Sequence, residues 1–270
     1  MQVIGGILSG SLALIADAIH NMSDALSLIL AFLARKIAQR PADNTMTFGY
    51  GRAEIVAALI NYTTLIVIGL HLIIEACERF LNPQPSDGWL IIVIAAIALI
   101  IDLVTAALTY RLSKTSVNIR AAFLHNLADA LGSVAVIVTG VLIMLFGWRY
   151  VDPLATLLIA GYILWQAFAQ IGFVIRLLML GAPEHLNPAV VVADLENLDG
   201  LSAVHHARLW HLDEHRCSLD AHLVIAPGQW QQADQIKAAA KARLAESYDI
   251  QFSTLELECS LHACQQAPVF

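Results

Sequence analysis

Charged residues are scarce in this chain of 270 residues: Asp, Glu, Lys and Arg make up 14% of it, against about 25% in a soluble domain. Acidic residues outnumber basic ones by 22 to 15 and no basic tract occurs, which argues against binding to nucleic acid. The four cysteines lack the paired spacing of a zinc ribbon. An HExxH motif and a glycine-rich phosphate loop are also missing, so neither a zinc protease nor an ATP-driven pump is indicated.

Apolar residues are abundant instead, at 58% of the chain, and they are concentrated before residue 182. A helix that crosses a membrane needs about 20 mainly apolar residues. The sequence therefore predicts an α-helical transmembrane bundle over residues 1–182 and a small soluble α+β domain over residues 183–270. Five spans are predicted, over residues 11–34, 53–74, 89–108, 118–146 and 153–180. The opening segment MQVIGGILSG is too short to span a membrane and resembles the end of one further helix.

Lysine and arginine are unevenly distributed among the short loops, and this sets the expected orientation. Cytoplasmic loops of membrane proteins carry an excess of these residues. The loop after the first span is rich in them, whereas the turn around Asn82 is flanked mainly by carboxylates. We therefore expect the first loop and, counting onward along the spans, the C-terminal domain to be cytoplasmic.

Two nearly identical segments place a histidine and a carboxylate inside apolar runs. The first, HNMSDAL, contains His20 and Asp24. The second, HNLADAL, contains His125 and Asp129. Residues four apart lie on one face of a helix, so two facing helices would bring together four nitrogen and oxygen donors, enough for a tetrahedral Zn²⁺ site. The alternative is two unrelated histidine–carboxylate hydrogen bonds that join helices.

Two further carboxylates fall inside predicted spans, where a charged side chain is costly and usually marks function. Asp17 lies one helical turn before His20 on the same face, and is either part of the ion or proton path or a capped, water-facing carboxylate. Asp102 has no obvious partner in the sequence and is a candidate for a proton relay or a vestibule. Asn21 and Asn126 follow the two histidines and either orient the ligands or pack between helices.

Several segments carry a specific resemblance to a known family. They are SGSLALIADAIHNMSDALS, PADNTMTFGYGRAEIVAALIN, HNLADALGS, DPLATLLIA and LMLGAPEHL, and together they cover nearly the whole chain. The sequence resembles the cation diffusion facilitator family, whose members export divalent metal ions in exchange for protons. The resemblance implies a homodimer, a cytoplasmic domain of ferredoxin-like fold, and six transmembrane helices, the first of which would be mostly missing here. It also implies a transport site of the zinc-preferring type, formed by His20, Asp24, His125 and Asp129.

The chain departs from the family pattern in two places. In the loop after the first complete span Asp43 is kept, but Met46 and Tyr50 stand at the histidine positions of a second metal site, so we expect little metal binding there. Arg52 matches a basic residue that, in the family, pairs with an acid below the last helix. Leucine stands at that acid position here, so an interlock of this kind would use Glu184 or be weaker.

The residue pattern of the soluble region predicts a helix over 188–198, strands over 204–212 and 217–225, a helix over 230–247 and a strand over 250–259. This αββαβ order agrees with the ferredoxin-like domain that the resemblance implies. The family's cytoplasmic metal positions map onto His205, His222, Glu256 and Glu258. Residues 256 and 258 would share a sheet face, because strand side chains alternate. The alternatives are a regulatory or dimer-bridging metal site and a solvated, histidine-rich surface.

The sequence and the resemblance together predict a secondary transporter and not an enzyme. Its expected cargo is Zn²⁺, with Cd²⁺ or Co²⁺ as further substrates, exported by proton antiport with alternating access. Metal ions require neutral imidazole and ionised carboxylate, so protons compete with the cargo. The expected partners are a second copy of the chain, membrane lipid, metal ions and protons, without an organic cofactor, in a bacterial inner membrane. The alternative function is a membrane-anchored metal sensor that binds without transport.

Overall fold

The computed structural model describes residues 2–110, 117–213, 216–261, 263 and 269. Within its helices, the side chains at 109, 117–122 and 125 also lie outside the described part. The chain divides into two compact units. The first unit consists of Met1–Leu30 and Ile60–Ile171, and the second of Ala31–Leu59 and Gly172–Phe270.

The regular elements described before residue 179 are all helices. Its helices are α1 (Gln2–Ser9), α2 (Leu12–Ala38), α3 (Ala53–Leu81), α4 (Gly88–Tyr110), α5 (Val117–Phe146) and α6 (Val151–Leu178). Among the described residues, five helices are long and apolar enough to cross a membrane, and they lie at α2 to α6. The predicted α-helical bundle is confirmed. Helices α2, α3 and α4 extend past the ends of the predicted spans, most clearly α3, because good helix formers such as Glu and Arg continue the helix beyond its apolar stretch. Helix α6 instead ends at Leu178, before the predicted end at residue 180.

Helix α2 is central to the first unit because two of its faces are apolar and each packs against a pair of helices. One face meets α3 and α6 through the cluster Leu12, Ala16, Leu72, Ala76 and Ala160. The other meets α4 and α5 through the cluster Leu14, Ile91, Ala95, Val136 and Ile143. Small side chains such as alanine let membrane helices approach closely. The first turns of α2 are therefore packed between four other helices.

The start of α2 is held by a carboxylate from another helix. Asp152, at the start of α6, is 1% exposed and accepts hydrogen bonds from the backbone nitrogens of Leu12 and Ala13, at 2.8 and 3.3 Å. The Ser11 hydroxyl also donates to it. The first N–H groups of a helix have no partner within the helix, and a negative charge there is favoured by the helix dipole. This cap fixes the beginning of the helix that carries His20.

Helices α4 and α5 approach each other where two glycines meet. A Cβ atom at Gly88 would lie 2.6 Å from the carbonyl oxygen of Gly140 and 2.9 Å from the backbone nitrogen of Met144. Neither neighbour belongs to a flexible side chain, so a larger residue would have to push the two backbones apart. The close packing of these helices therefore depends on glycine at this position.

The C-terminal domain is an α+β fold with helices packed on a small sheet. Its elements are α7 (Pro188–Glu196), β1 (Leu201–His211), β2 (Cys217–Ile225), a 3₁₀ turn (Trp230–Gln232), α8 (Ala233–Tyr248) and β3 (Phe252–Cys259). In the described residues the sheet order is β1-β2-β3, with β1 antiparallel and β3 parallel to β2. Buried leucines of the helices and the sheet form its core, among them Leu195, Leu219 and Leu244. The predicted αββαβ order is confirmed.

Some ends of these elements differ from the prediction. Strand β1 begins earlier than expected, because Leu201 pairs with Ile225 of β2. Strand β3 begins at Phe252, which pairs with Ser218 at the start of β2. The second helix begins as a 3₁₀ turn at Trp230 before α8 proper. Pairing partners distant in the chain set the strand ends, and a local residue pattern does not reveal them.

We expect Gly88→Ala to lower the stability of the first unit by about 1–3 kcal/mol, because the added methyl group meets backbone atoms of α5. Gly161→Ala is the matched control, since a Cβ atom there would have nothing within 4 Å. Thermal unfolding in detergent, followed by tryptophan fluorescence, measures the difference between the two variants. Equal unfolding temperatures would show that α4 and α5 do not need this close approach.

Candidate metal centres

Three of the predicted transport-site residues converge within the first unit. The Nε2 atom of His20 lies 3.8 Å from Oδ2 of Asp24 and 3.6 Å from Oδ1 of Asp129. One donor atom from each residue lies within 4.8 Å of the others. Ligands held about 2.0–2.1 Å from a tetrahedral Zn²⁺ are separated by about 3.3 Å, so the donors stand near coordination distance. The structure thus brings the two HxxxD segments together.

The convergent residues differ in their access to solvent. His20 is buried, as is most of the Asp129 side chain, whereas 30% of the Asp24 side chain is exposed. Tyr162 of α6 packs against the His20 ring in an edge-on arrangement, with 6.4 Å between ring centroids. Charges that are shielded from water interact more strongly than exposed ones. Two carboxylates beside one buried imidazole therefore favour a divalent cation.

A cavity of about 870 Å³ adjoins these residues and is lined by α1, α2, α4 and α5. Polar side chains interrupt its apolar lining at Gln2, Asn21, Asp24, Asp102, Asn126 and Asp129. Both asparagines that follow the predicted ligand histidines are thus on the cavity wall. His125 lies outside the described side chains, and its place in the site stays a prediction. The cavity gives an ion space to reach the donor atoms.

The two accessory carboxylates both have hydrogen-bond partners. Asp17 is 3% exposed and accepts a hydrogen bond from the Gln2 amide at 3.0 Å. Asp102 accepts one from the Ser133 hydroxyl, also at 3.0 Å. Asp102, which has no obvious partner in the sequence, therefore has one in the structure. Ser133 lies on α5 and far along the chain from Asp102, so the local sequence around Asp102 gives no sign of the contact.

Asp43 organises the loop after α2 through hydrogen bonds within that loop. One of its oxygens accepts from the backbone nitrogens of Thr45 and Met46, both at 2.8 Å, and the other from the Tyr50 hydroxyl at 2.8 Å. The Thr45 hydroxyl, the Met46 amide and the Tyr50 hydroxyl together hold the pKa of the Asp43 carboxyl well below its ordinary value. Tyr50, at a family histidine position, thus donates to the carboxylate. This arrangement supports the expectation of little metal binding in the loop.

Arg52 binds backbone carbonyls and not a carboxylate. Its Nε and Nη2 atoms donate to the carbonyl oxygens of Leu212 and His211, each at 3.1 Å. Glu184 pairs instead with Arg176, at 3.3 Å. Of the two alternatives that the sequence left open, an interlock between Arg52 and Glu184 is therefore not the one formed among the described residues. Every residue has a carbonyl oxygen, so residue types in the sequence could not reveal these acceptors.

A cluster of imidazoles and carboxylates forms at the predicted cytoplasmic positions. His205 Nε2 lies 3.0 Å from one oxygen of Glu258, and His222 Nδ1 lies 2.5 Å from the other. Glu256 lies 3.4 Å from His222 Nε2, but 66% of its side chain is exposed. The sheet register explains the cluster, because His222 pairs with His205 on β1 and with Glu256 on β3. Donor atoms of His205, His222 and Glu258 lie within 4.8 Å of one another, and this donor set suits Zn²⁺.

His206 joins this cluster through an irregularity in β1. Adjacent side chains of a strand normally point to opposite faces, so the sequence separates His206 from His205. However, the register of β1 shifts between His205 and Arg208, and His206 has a φ of 49°, in the left-handed region. Its ring centroid lies 5.2 Å from that of His205 and 5.1 Å from that of His222. The bulge adds a third imidazole that the alternating pattern could not predict.

Membrane-length helices around convergent imidazole and carboxylate groups, joined to a small α+β domain, define a membrane protein of the cation-transporting class. Comparison with known families agrees. The family model described as the cation efflux transmembrane domain matches residues 1–179, and that of the cation efflux protein, cytoplasmic domain, matches residues 183–259. The chain belongs to the cation efflux family, also called the cation diffusion facilitator family, as its sequence predicts.

Curated relatives carry the names of metal transporters. The chain is 37% identical to the cadmium, cobalt and zinc/H(+)-K(+) antiporter of Bacillus subtilis, over 83% of this chain and 73% of the relative. It is 34% identical to the zinc transporter ZitB of Pectobacterium atrosepticum, over 97% of this chain and 84% of the relative. It is 32% identical to the metal cation efflux system protein CzcD of Cupriavidus metallidurans, over 98% of this chain and 83% of the relative. The protein is therefore a cation efflux transporter, not an enzyme, and its C-terminal domain is cytoplasmic.

Proposed function

We propose that this protein exports Zn²⁺ and that the transported ion is held by His20, Asp24, His125 and Asp129. The observation that carries the proposal is the convergence of the His20, Asp24 and Asp129 donor atoms within 4.8 Å. His125 precedes Asp129 by one helical turn and is assigned from the repeated HxxxD pattern. Two imidazoles and two carboxylates supply four donors, the usual number for Zn²⁺.

Proton exchange follows from the chemistry of these donors. A metal ion requires neutral imidazole and ionised carboxylate, so metal binding releases protons and protonation releases metal. An imidazole ordinarily changes its charge between about pH 5 and 8, which a pH gradient across a membrane can cover. A site that opens alternately to the cytoplasm and to a more acidic exterior would load metal inside and exchange it for protons outside.

The cavity beside the site is assigned as the route by which ions arrive. Asp24, Asp102 and Asp129 all line it. A cleft lined by one sign of charge raises the local concentration of oppositely charged ions, so the carboxylate of Asp102 is assigned to this vestibule. Asp17 is hydrogen-bonded to Gln2 of α1 and is assigned to positioning α2 or to the proton path.

The wider properties of the transporter are proposed from its relatives. The name of the Bacillus subtilis relative includes cadmium, cobalt and zinc, with H⁺ and K⁺ as exchanged ions. This name supports Cd²⁺ and Co²⁺ as further substrates here, and protons as counter-ions. The relatives of this protein named above are bacterial, which supports its location in a bacterial inner membrane. The domain of residues 183–270 is proposed to form the homodimer contact and to bind a regulatory Zn²⁺.

A membrane-anchored metal sensor is the second candidate, and the cytoplasmic cluster is the observation that favours it. A sensor would bind Zn²⁺ at His205, His222 and Glu258, whose donor atoms lie within 4.8 Å of one another. It would leave the ion on the side from which it came. Gradient-driven movement of Zn²⁺ therefore separates the two functions, because binding alone moves no ion across the membrane.

Zinc uptake into proteoliposomes that are more acidic inside than outside tests the transport site. We expect His20→Ala and Asp129→Ala each to reduce the flux to that of protein-free vesicles, because each change removes a donor from the proposed site. His71→Ala is the matched control, since this histidine lies on α3 with 74% of its side chain exposed. Unchanged flux in both site variants would contradict the site. Zinc binding without gradient-driven flux in the unaltered protein would favour the sensor.

Zinc titration calorimetry of the full chain in detergent tests the cytoplasmic cluster. In an Asp129→Ala background, we expect His206→Ala to weaken the remaining Zn²⁺ affinity by about 10- to 100-fold, the usual cost of losing a side chain that supports a metal. His185→Ala is the control, because this exposed histidine lies outside the cluster. An affinity equal to that of the background protein would show that His206 only packs beside the cluster.

A further inference from the structure

A second cavity, of about 710 Å³, lies wholly within the second unit. Its walls come from the loop after α2, from the beginnings of β2 and β3, and from α8. The loop contributes the FGYG segment, including Phe48 and Tyr50, which the transport site does not use. Binding sites for small molecules have volumes of about 300–1,000 Å³, so this cavity has the size of a ligand site.

The charged lining of this cavity is basic. Arg40, Arg216 and Lys241 line it, and no carboxylate belongs to its described lining. Arg216 is held by Asp213, with 2.6 Å between its Nε atom and Oδ2, and its guanidinium lies 5.5 Å from the centre of the Phe252 ring. Arg40 and Lys241 make no ion pair with any described residue. Their two positive charges are therefore available to a ligand.

Hydroxyl groups accompany the basic side chains. Thr47, Ser218, Ser253 and Thr254 line the same cavity. A hydroxyl donates one hydrogen bond, and guanidinium and ammonium groups form strong, charge-assisted hydrogen bonds to phosphate. Asp43 contacts the lining residue Tyr50, but its oxygens accept hydrogen bonds from within the loop. Cations, hydroxyls and aromatic rings in one cavity favour a phosphate-bearing ligand over a metal ion.

We propose that this cavity binds a phosphate mono- or diester, with Arg40 and Lys241 as its main charge contacts. The loop follows α2, whose last turn carries Arg35 and Lys36, and basic residues at the cytoplasmic end of a membrane helix lie near lipid headgroups. The phosphate belongs either to an anionic lipid or to a soluble compound of the cytoplasm. A phosphate group from either source would need the same cationic and hydroxyl hydrogen-bond donors.

Two binding measurements on the full chain distinguish these sources. Equilibrium dialysis of the detergent-purified protein against radiolabelled inorganic phosphate measures the soluble ligand. Native mass spectrometry after reconstitution in phosphatidylcholine nanodiscs that contain phosphatidylglycerol measures the lipid. We expect saturable binding of at least one probe, and we expect Arg40→Gln/Lys241→Gln to weaken it about tenfold, through the loss of two exposed charge contacts. Binding of phosphatidylglycerol alone identifies a headgroup site, and binding of phosphate identifies a soluble ligand.

Arg208→Gln/Lys237→Gln is the matched control, because it also removes one arginine and one lysine from the second unit and neither residue lines the cavity. Arg40 and Lys241 are exposed, so their replacement leaves the core intact, and equal unfolding temperatures of the two double variants verify this. Equal weakening in both double variants would overturn the proposal, since it would mean diffuse charge attraction. Full binding in the cavity variant would overturn it too, as would the absence of saturable binding of both probes to the unaltered protein.

Discussion

The free-energy cost of burying charge within apolar helices is the constraint on which this structure depends. A polar group removed from water needs a partner, and the first unit supplies partners of different kinds. Asp152 accepts backbone N–H groups at the start of α2, whereas Asp17 and Asp102 each accept a hydrogen bond from a neutral side chain. Around His20, by contrast, two carboxylates gather within reach of one imidazole. Neutral donors thus satisfy Asp152, Asp17 and Asp102, whereas the two carboxylates around His20 are best compensated by a cation.

The same constraint explains why the site can be built on α2 and α5 with little distortion. Alanines at the contacts of α2 allow close packing on two sides, and the cap from Asp152 fixes the start of the helix. These features set the spacing of the facing side chains before any ion binds. The donor separations of 3.6 and 3.8 Å at His20 exceed the roughly 3.3 Å of a tetrahedral Zn²⁺ site by a small amount. These three side chains would therefore need only small movements to bind a Zn²⁺ ion.

Features that follow a local repeat could be predicted from the sequence, and features that depend on distant partners could not. The helices of the bundle follow from apolar length, the αββαβ order from alternating patterns, and the pairing of His20 with Asp24 from the helical repeat. The Ser133 partner of Asp102 lies on another helix, so no pattern near Asp102 announces it. His206 reaches the cytoplasmic cluster only because β1 breaks its alternation. Strand alternation is consistent with Glu256 and Glu258 lying near His222, but it does not account for His206 beside His205.

The FGYGRAE segment, which is part of the family resemblance, both stabilises the loop after α2 and lines the second cavity. Arg52 ties the loop to backbone carbonyls at the end of β1, and Tyr50 ties it to Asp43. The oxygens of Asp43 accept hydrogen bonds from Thr45, Met46 and Tyr50 within the loop. This carboxylate is therefore not paired with a basic side chain of the cavity. Arg40, which makes no ion pair with a described residue, and the exposed Phe48 of this loop both line the cavity. Basic side chains without a described ion-pair partner, such as Arg40 and Lys241, in a cavity whose described lining holds no carboxylate favour an anionic ligand.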